Sequence, residues 1–173
     1  MDYEVAAKAA RDAGFMHTAP LDPATIELKE EVRQMCAACG RYGKCWSCPP
    51  GCGTLEECRE KVAAFRKGIL VQTVGELEDE FDGEAMMETE ALHKANFQKL
   101  RQTLKGEDIL ALGAGSCTVC KTCTYPDESC RFPEKRISSM EAYGMVVTEV
   151  CRANGMVYNH GKNTIAYTSC ILF

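Results

Sequence analysis

The chain has little of what several functional classes require. Its longest uncharged run covers the 12 residues from Ile109 to Cys120 and includes Gly113, Gly115, Ser116 and Thr118. A membrane-crossing helix needs about 18 or more consecutive apolar residues, so no membrane span is expected. A basic excess is also missing: 20 Lys and Arg face 25 Asp and Glu, a net charge of −5. Nucleic-acid binding, which leans on clustered positive charge, is not expected. Histidine is scarce, at three residues, and His17, His93 and His160 stand alone in the sequence. His93 lies four before Phe97 on a helical pattern and reads as structural. The opening Met1-Asp2-Tyr3-Glu4-Val5-Ala6-Ala7-Lys8 interleaves acids and bases and lacks the apolar core of a secretory signal, which points to the cytoplasm.

Cysteine is what the chain has in excess: 12 of 173 residues. Disulfide-dense domains are as a rule secreted and shorter than about 100 residues. In a reducing compartment, clustered thiols point to metal or redox chemistry instead. Ten of them fall in two stretches, Cys36 to Cys58 and Cys117 to Cys130. Cys151 and Cys170 lie apart, in a helical and a strand pattern, and read as small buried hydrophobes.

With 46% apolar and 26% charged residues, the chain has the composition of a packed globular domain. The pattern predicts a helix over Tyr3 to Gly14 and another opened by Asp22-Pro23 and carrying Ile26, Val32 and Met35. Thr54-Leu55-Glu56-Glu57 forms a capping box for a helix to about Lys67. Strands are expected at Gly68–Val74, Asp108–Gly113 and Thr164–Phe173. A long helix follows the acidic stretch Glu76–Glu90, which holds eight acids and no base and reads as a solvated loop and helix start. Ser138-Ser139-Met140-Glu141 looks like a further capping box, opening a helix to about Ala153, with Glu141 as a cap. The expected architecture is α/β: one layered domain over 1–173, with three or four strands, flanking helices and two cysteine-rich metal-binding loops at 36–58 and 117–130.

Cys117-x2-Cys120-x2-Cys123, followed by Cys130, carries the stronger chemical signal. Three cysteines at intervals of three let one loop aim thiolates at three corners of a [4Fe-4S] cubane, as in the opening of the bacterial ferredoxin motif. The fourth cysteine comes late here, leaving the role of Cys130 open. In the first loop, Cys36-x2-Cys39 and Cys45-x2-Cys48 could also serve as two zinc knuckles, with Cys52 and Cys58 behind them. Seven bases against three acids between Arg33 and Lys67 suit a negatively charged cluster. Trp46, inside the loop, would shield a metal from water. Gly113-Ala114-Gly115 lacks the third glycine of a dinucleotide loop, since Thr118 stands there, and fits backbone approach to cluster sulfurs better.

These residues carry a family resemblance. Cys36-x2-Cys39-Gly40-x-Tyr42-Gly43-Lys44-x-Trp46-x-Cys48-Pro49-Pro50 with Gly53-x2-Glu56-Glu57-Cys58 resembles the first signature of a cysteine-rich family described as predicted metal-binding proteins, from bacteria and archaea. Gly113-Ala114-Gly115-Ser116-Cys117-x2-Cys120-x2-Cys123, Cys130-Arg131-Phe132-Pro133 and Ser139-Met140-Glu141-Ala142-Tyr143-Gly144 resemble its second. The resemblance implies a cytoplasmic metal-binding protein and supplies no reaction. It implies Cys36, Cys39, Cys48 and Cys58 as the first ligand set, with Cys45 and Cys52 as extras. The leading expectation is two [4Fe-4S] clusters, the second held by Cys117, Cys120, Cys123 and Cys130, transferring electrons to a redox partner. The alternatives are an enzyme using an open iron as Lewis acid, and a zinc-stapled interaction module.

Overall fold

Two nine-residue strands, β2 (Gly68–Glu76) and β5 (Thr164–Leu172), pair antiparallel along their whole length and form the centre of the sheet. The computed structural model describes all of residues 1–173. The sheet runs β1 (His17–Leu21), β2, β5, β3 (Leu110–Gly113), β4 (Ser138–Ser139). Its pairings are antiparallel except β3 with β4, which is parallel.

Side chains alternate across β2 and β5, and both faces are covered. Ile69, Val71 and Ile171 point to a core with α1 (Tyr3–Ala13) and α4 (Gly83–Thr103). Leu70, Cys170 and Leu172 point to the other core, with α3 (Leu55–Ala63) and α5 (Val147–Ala153). Burial on both faces explains why the middle of β2 reads as a continuous apolar run rather than an alternation. Cys151 and Cys170 are fully buried in this second core, as expected. No helix is long and apolar enough to cross a membrane.

Two helix signals hold. Gly14 ends α1 at φ +110°, where a side chain would be strained, and Asp2, not marked in the sequence, caps its start through the Val5 amide at 3.1 Å. The Thr54–Glu57 capping box opens α3. Asp82 caps α4, accepting from the Ala85 amide at 3.1 Å, and the acidic stretch before it is largely solvated.

The sheet has five strands rather than three or four. The strand β1 escapes the sequence pattern because Pro20 interrupts it; it lies at the sheet edge, where a missing N–H is tolerated. Asp22-Pro23 opens only a short 3₁₀ turn, Pro23–Thr25, and α2 (Glu30–Ala37) starts later. Between them Leu28 is extended and bridges to Met145. Ser138-Ser139 forms β4 instead of a helix cap. The Ser139 hydroxyl accepts from the Ala142 amide at 3.0 Å, holding the 3₁₀ turn Glu141–Tyr143, so Glu141 is not the capping partner expected.

His93 is structural, as its helical spacing suggests. Fully buried on α4, its Nε2 lies 2.6 Å from the Ser169 hydroxyl and its Nδ1 2.9 Å from the Thr73 hydroxyl. Burial, aided by the charge of Lys94, lowers its pKa from 6.5 to about 4. The folded chain therefore binds fewer protons than the unfolded chain between these values. Stability contributed by neutral His93 is present above pH 6.5 and is lost as the pH falls toward 4, by about 3 kcal/mol at most. Urea unfolding across that window should show the decline, and His93→Gln should flatten it; an unchanged slope would sink the assignment.

Candidate metal centre

The two cysteine loops are built from tight turns and dock on each other. In the first, the Cys39 amide donates to the Cys36 carbonyl at 3.0 Å, Cys48 to Cys45 at 3.3 Å, and Cys52 to Cys48 at 3.1 Å. These turns bring thiols spaced three or four apart to one side. The second loop differs: none of residues 114–123 donates its amide to a backbone carbonyl.

One serine joins the loops. Buried Ser47 places its hydroxyl 3.5 Å from the Cys45 sulfur and 3.9 Å from the Cys48 sulfur, and accepts from the Cys117 amide at 3.3 Å. Trp46 adds a second clasp. Its Nε1 donates to the Glu128 carbonyl at 3.0 Å, and its ring meets Tyr125 edge-on with centroids 4.9 Å apart. Gly51 lies beneath, where a Cβ would come within 2.7 Å of the Cys45 carbonyl oxygen and 3.0 Å of the Tyr125 ring. The sole tryptophan is thus a link between loops as well as a cover.

Beside this link, Cys117, Cys120, Cys123 and Cys130 line one small cavity, and Cys45 of the first loop joins them. Arg41 and Arg136 also line it, with no carboxylate, and Trp46 and Phe132 close its apolar side. Such a donor set fits a thiolate-bound metal group: soft sulfur ligands, compensating cations, amides not taken up by backbone carbonyls and aromatic cover. Cys45, set aside by the family pattern, is the residue whose placement the sequence reading missed. Ser47 was also unmarked, although a hydroxyl between two cysteines in such a loop is a readable signal.

Of the remaining thiols in the first loop, Cys52 and Cys58 are buried, Cys36 and Cys48 half-buried and Cys39 exposed. Arg33 of α2 organises this side. Its guanidinium donates to the Gly53 carbonyl at 2.7 Å and the Ala142 carbonyl at 3.1 Å, and lies 3.6 Å from the Cys58 sulfur. The Cys58 thiol is lowered to about 7, first by its hydrogen bond with Cys52 and further by Arg33 and Lys61. That same bond with Cys58, together with burial, pushes Cys52 up. Burial, then Cys45, raises Cys48 to about 12. Cys52, expected as an extra, is buried and donates to the Ala142 carbonyl at 3.6 Å, the carbonyl that also accepts from Arg33. No three His, Cys, Asp or Glu side chains converge on a single point where one ion would be held. His17 and His160 lie ring to ring at 5.2 Å, away from the thiols, and His160 bonds Gln72 at 2.8 Å.

The Trp46 clasp makes a stability prediction. Trp46→Phe keeps an aromatic face for Tyr125 and removes the bond to Glu128, and should cost about 1 kcal/mol. Circular dichroism during urea unfolding measures this, and an unaltered midpoint would refute the clasp.

No curated protein and no solved structure matches the chain. The model of the family described as predicted metal-binding protein (DUF2284) matches residues 19–173, a span that takes in both cysteine loops and the whole clasp between them, and the chain belongs to that family.

Proposed function

We propose that the chain holds two [4Fe-4S] clusters and passes single electrons to a redox partner protein. Cys36, Cys39, Cys48 and Cys58 hold one cluster, and Cys117, Cys120, Cys123 and Cys130 the other. The observation that carries this reading is the arrangement of Cys117, Cys120, Cys123 and Cys130 around one small cavity; the first set rests on its sequence motif. A single zinc needs four donors within about 2.0–2.3 Å of one centre. A cubane instead takes one thiolate at each of four separated irons and supplies a one-electron couple when bound.

The chain's own residues then set the environment. Arg33 at one set, and Arg41 and Arg136 at the other, offset negative charge. Trp46 and Phe132 limit water, and the amides of residues 118–123, which meet no backbone carbonyl, are available as donors to sulfur. Ser47 bridges the sets through one hydroxyl, a short route between them.

Zinc in the first loop is the second reading. The Cys36–Cys39 and Cys45–Cys48 turns, each closed by an amide-to-carbonyl bond, favour it by their likeness to paired knuckles.

Iron, acid-labile sulfide and zinc, measured on anaerobically purified full-length chain, test both readings. About eight irons and eight sulfides, with absorption at about 400 nm bleached by dithionite, are expected. Zinc without sulfide would end the redox reading. Cys130→Ala should halve the iron, while Cys45→Ala should leave it intact. The reverse result would make Cys45 the fourth ligand of the second set.

A further inference from the structure

The three histidines stand far apart in the sequence, yet the fold brings two of them together. His17 lies in β1, at the edge of the sheet opposite β4, and His160 lies in the segment before β5. Their ring centres are 5.2 Å apart, with the ring planes tilted by 54°. His17 is exposed and His160 half-buried, so water reaches the pair. No third His, Cys, Asp or Glu joins them.

Gln72 gives the pair its chemical direction. It stands opposite His17 from β2 and opposite Thr168 of β5, and its side chain is buried. Its Nε2 donates to the Val157 carbonyl at 3.0 Å and to the Thr168 hydroxyl at 3.1 Å. A carbonyl only accepts, so the amide faces Val157 with its nitrogen. Its Oε1 is thereby turned to His160 Nε2, 2.8 Å away, and this oxygen too can only accept. The proton of the neutral His160 ring therefore sits on Nε2, and the lone pair on Nδ1. Metal-binding histidines use this arrangement, because an acceptor at one nitrogen fixes the tautomer and raises the basicity of the other.

The spacing fits a shared ion as well. Zinc–imidazole bonds are about 2.0–2.1 Å long, and a ring nitrogen lies about 1.2 Å from its ring centre. Two imidazoles on one tetrahedral ion then place their centres about 5.2 Å apart. Imidazole nitrogen suits borderline transition ions, whereas magnesium and calcium take oxygen.

We propose that His17 and His160 bind one divalent transition-metal ion of the zinc class, with water in the remaining positions. His160 ligates through Nδ1, His17 through a ring nitrogen turned toward the same point, and Gln72 is the positioning residue for His160. This site goes beyond electron transfer. It shares no ligand with the thiols and does not depend on which metal they hold.

Zinc titrated into the full-length chain, purified anaerobically and labelled with nitrogen-15 at histidine, tests this through long-range proton–nitrogen NMR of the three rings. Nδ1 of His160 and one nitrogen of His17 should shift saturably with a single midpoint. Buried His93, with both nitrogens bonded to hydroxyls, should stay unmoved. His17→Gln should weaken the zinc response of His160 by about tenfold or more, and His160→Gln should do the same to His17. Magnesium should move neither ring. Circular dichroism confirms that each variant is folded. Zinc that enters the thiols and leaves His17 and His160 unmoved overturns the proposal. Two separate midpoints, an equal response to magnesium, or a His160 response undiminished in His17→Gln does so too. The ring signals are read apart from iron and sulfide content, so failure of this site and failure of the cluster reading are distinguishable.

Discussion

Crowded sulfur in a poorly solvated place needs positive charge before it can ionise, and this constraint shapes the whole cysteine-bearing side of the molecule. Burial and neighbouring thiols push Cys48 and Cys52 upward, and only Cys58, beside Cys52 and Arg33, falls below the usual thiol range. Arg33 reaches Cys58 while anchored on two backbone carbonyls, so its charge is held in place. Cations beside the thiols lessen the cost of ionisation, and a bound metal removes it by taking the thiolates as ligands. Thiol binding of metal therefore releases protons, and the fixed arginines lower how much work that release takes.

The sheet is what lets loops separated by about seventy residues share one clasp. The first loop is spanned between α2 and α3, and the second between β3 and β4. The strand β4 then leads into the Glu141–Tyr143 turn, which packs under α2 and α3. The carbonyl of Ala142 in that turn accepts from Arg33, while the Cys52 sulfur lies 3.6 Å from it. The second loop and the turn after it thus both touch the first loop, at Ser47 and at Arg33. Displacing either contact would separate thiols that no local sequence feature holds together.

Local signals in the sequence were accurate where the physics is local. The Gly14 end of the first helix, the Thr54 capping box and the apolar runs of β2 and β5 depend on neighbouring residues, and each is where its pattern put it. Pro20 and the Ser138-Ser139 pair mislead because their setting is tertiary: one sits on a sheet edge, the other pairs in parallel with β3. The chemistry divides in the same way. Spacing marks the Cys117-x2-Cys120-x2-Cys123 series as one unit, since three residues span one turn. It cannot show that Cys45, from the other loop, lines the same cavity as that unit. Nor does it mark Arg101, whose significance lies in an unpartnered nitrogen that only packing creates.

A chain that only carried electrons could hold its clusters in a far smaller body, since the ligands occupy two loops. The remaining structure here has specific features that a mere support would not need. Helix α4 packs on the sheet through Phe97 and Leu100, yet turns Lys94, Gln98 and Arg101 toward the second cysteine loop. Lys135 faces the same space from the segment after Cys130, held by the Gln98 bond. Polar atoms buried without partners are rare in folded chains because each costs stability, and Arg101 retains one.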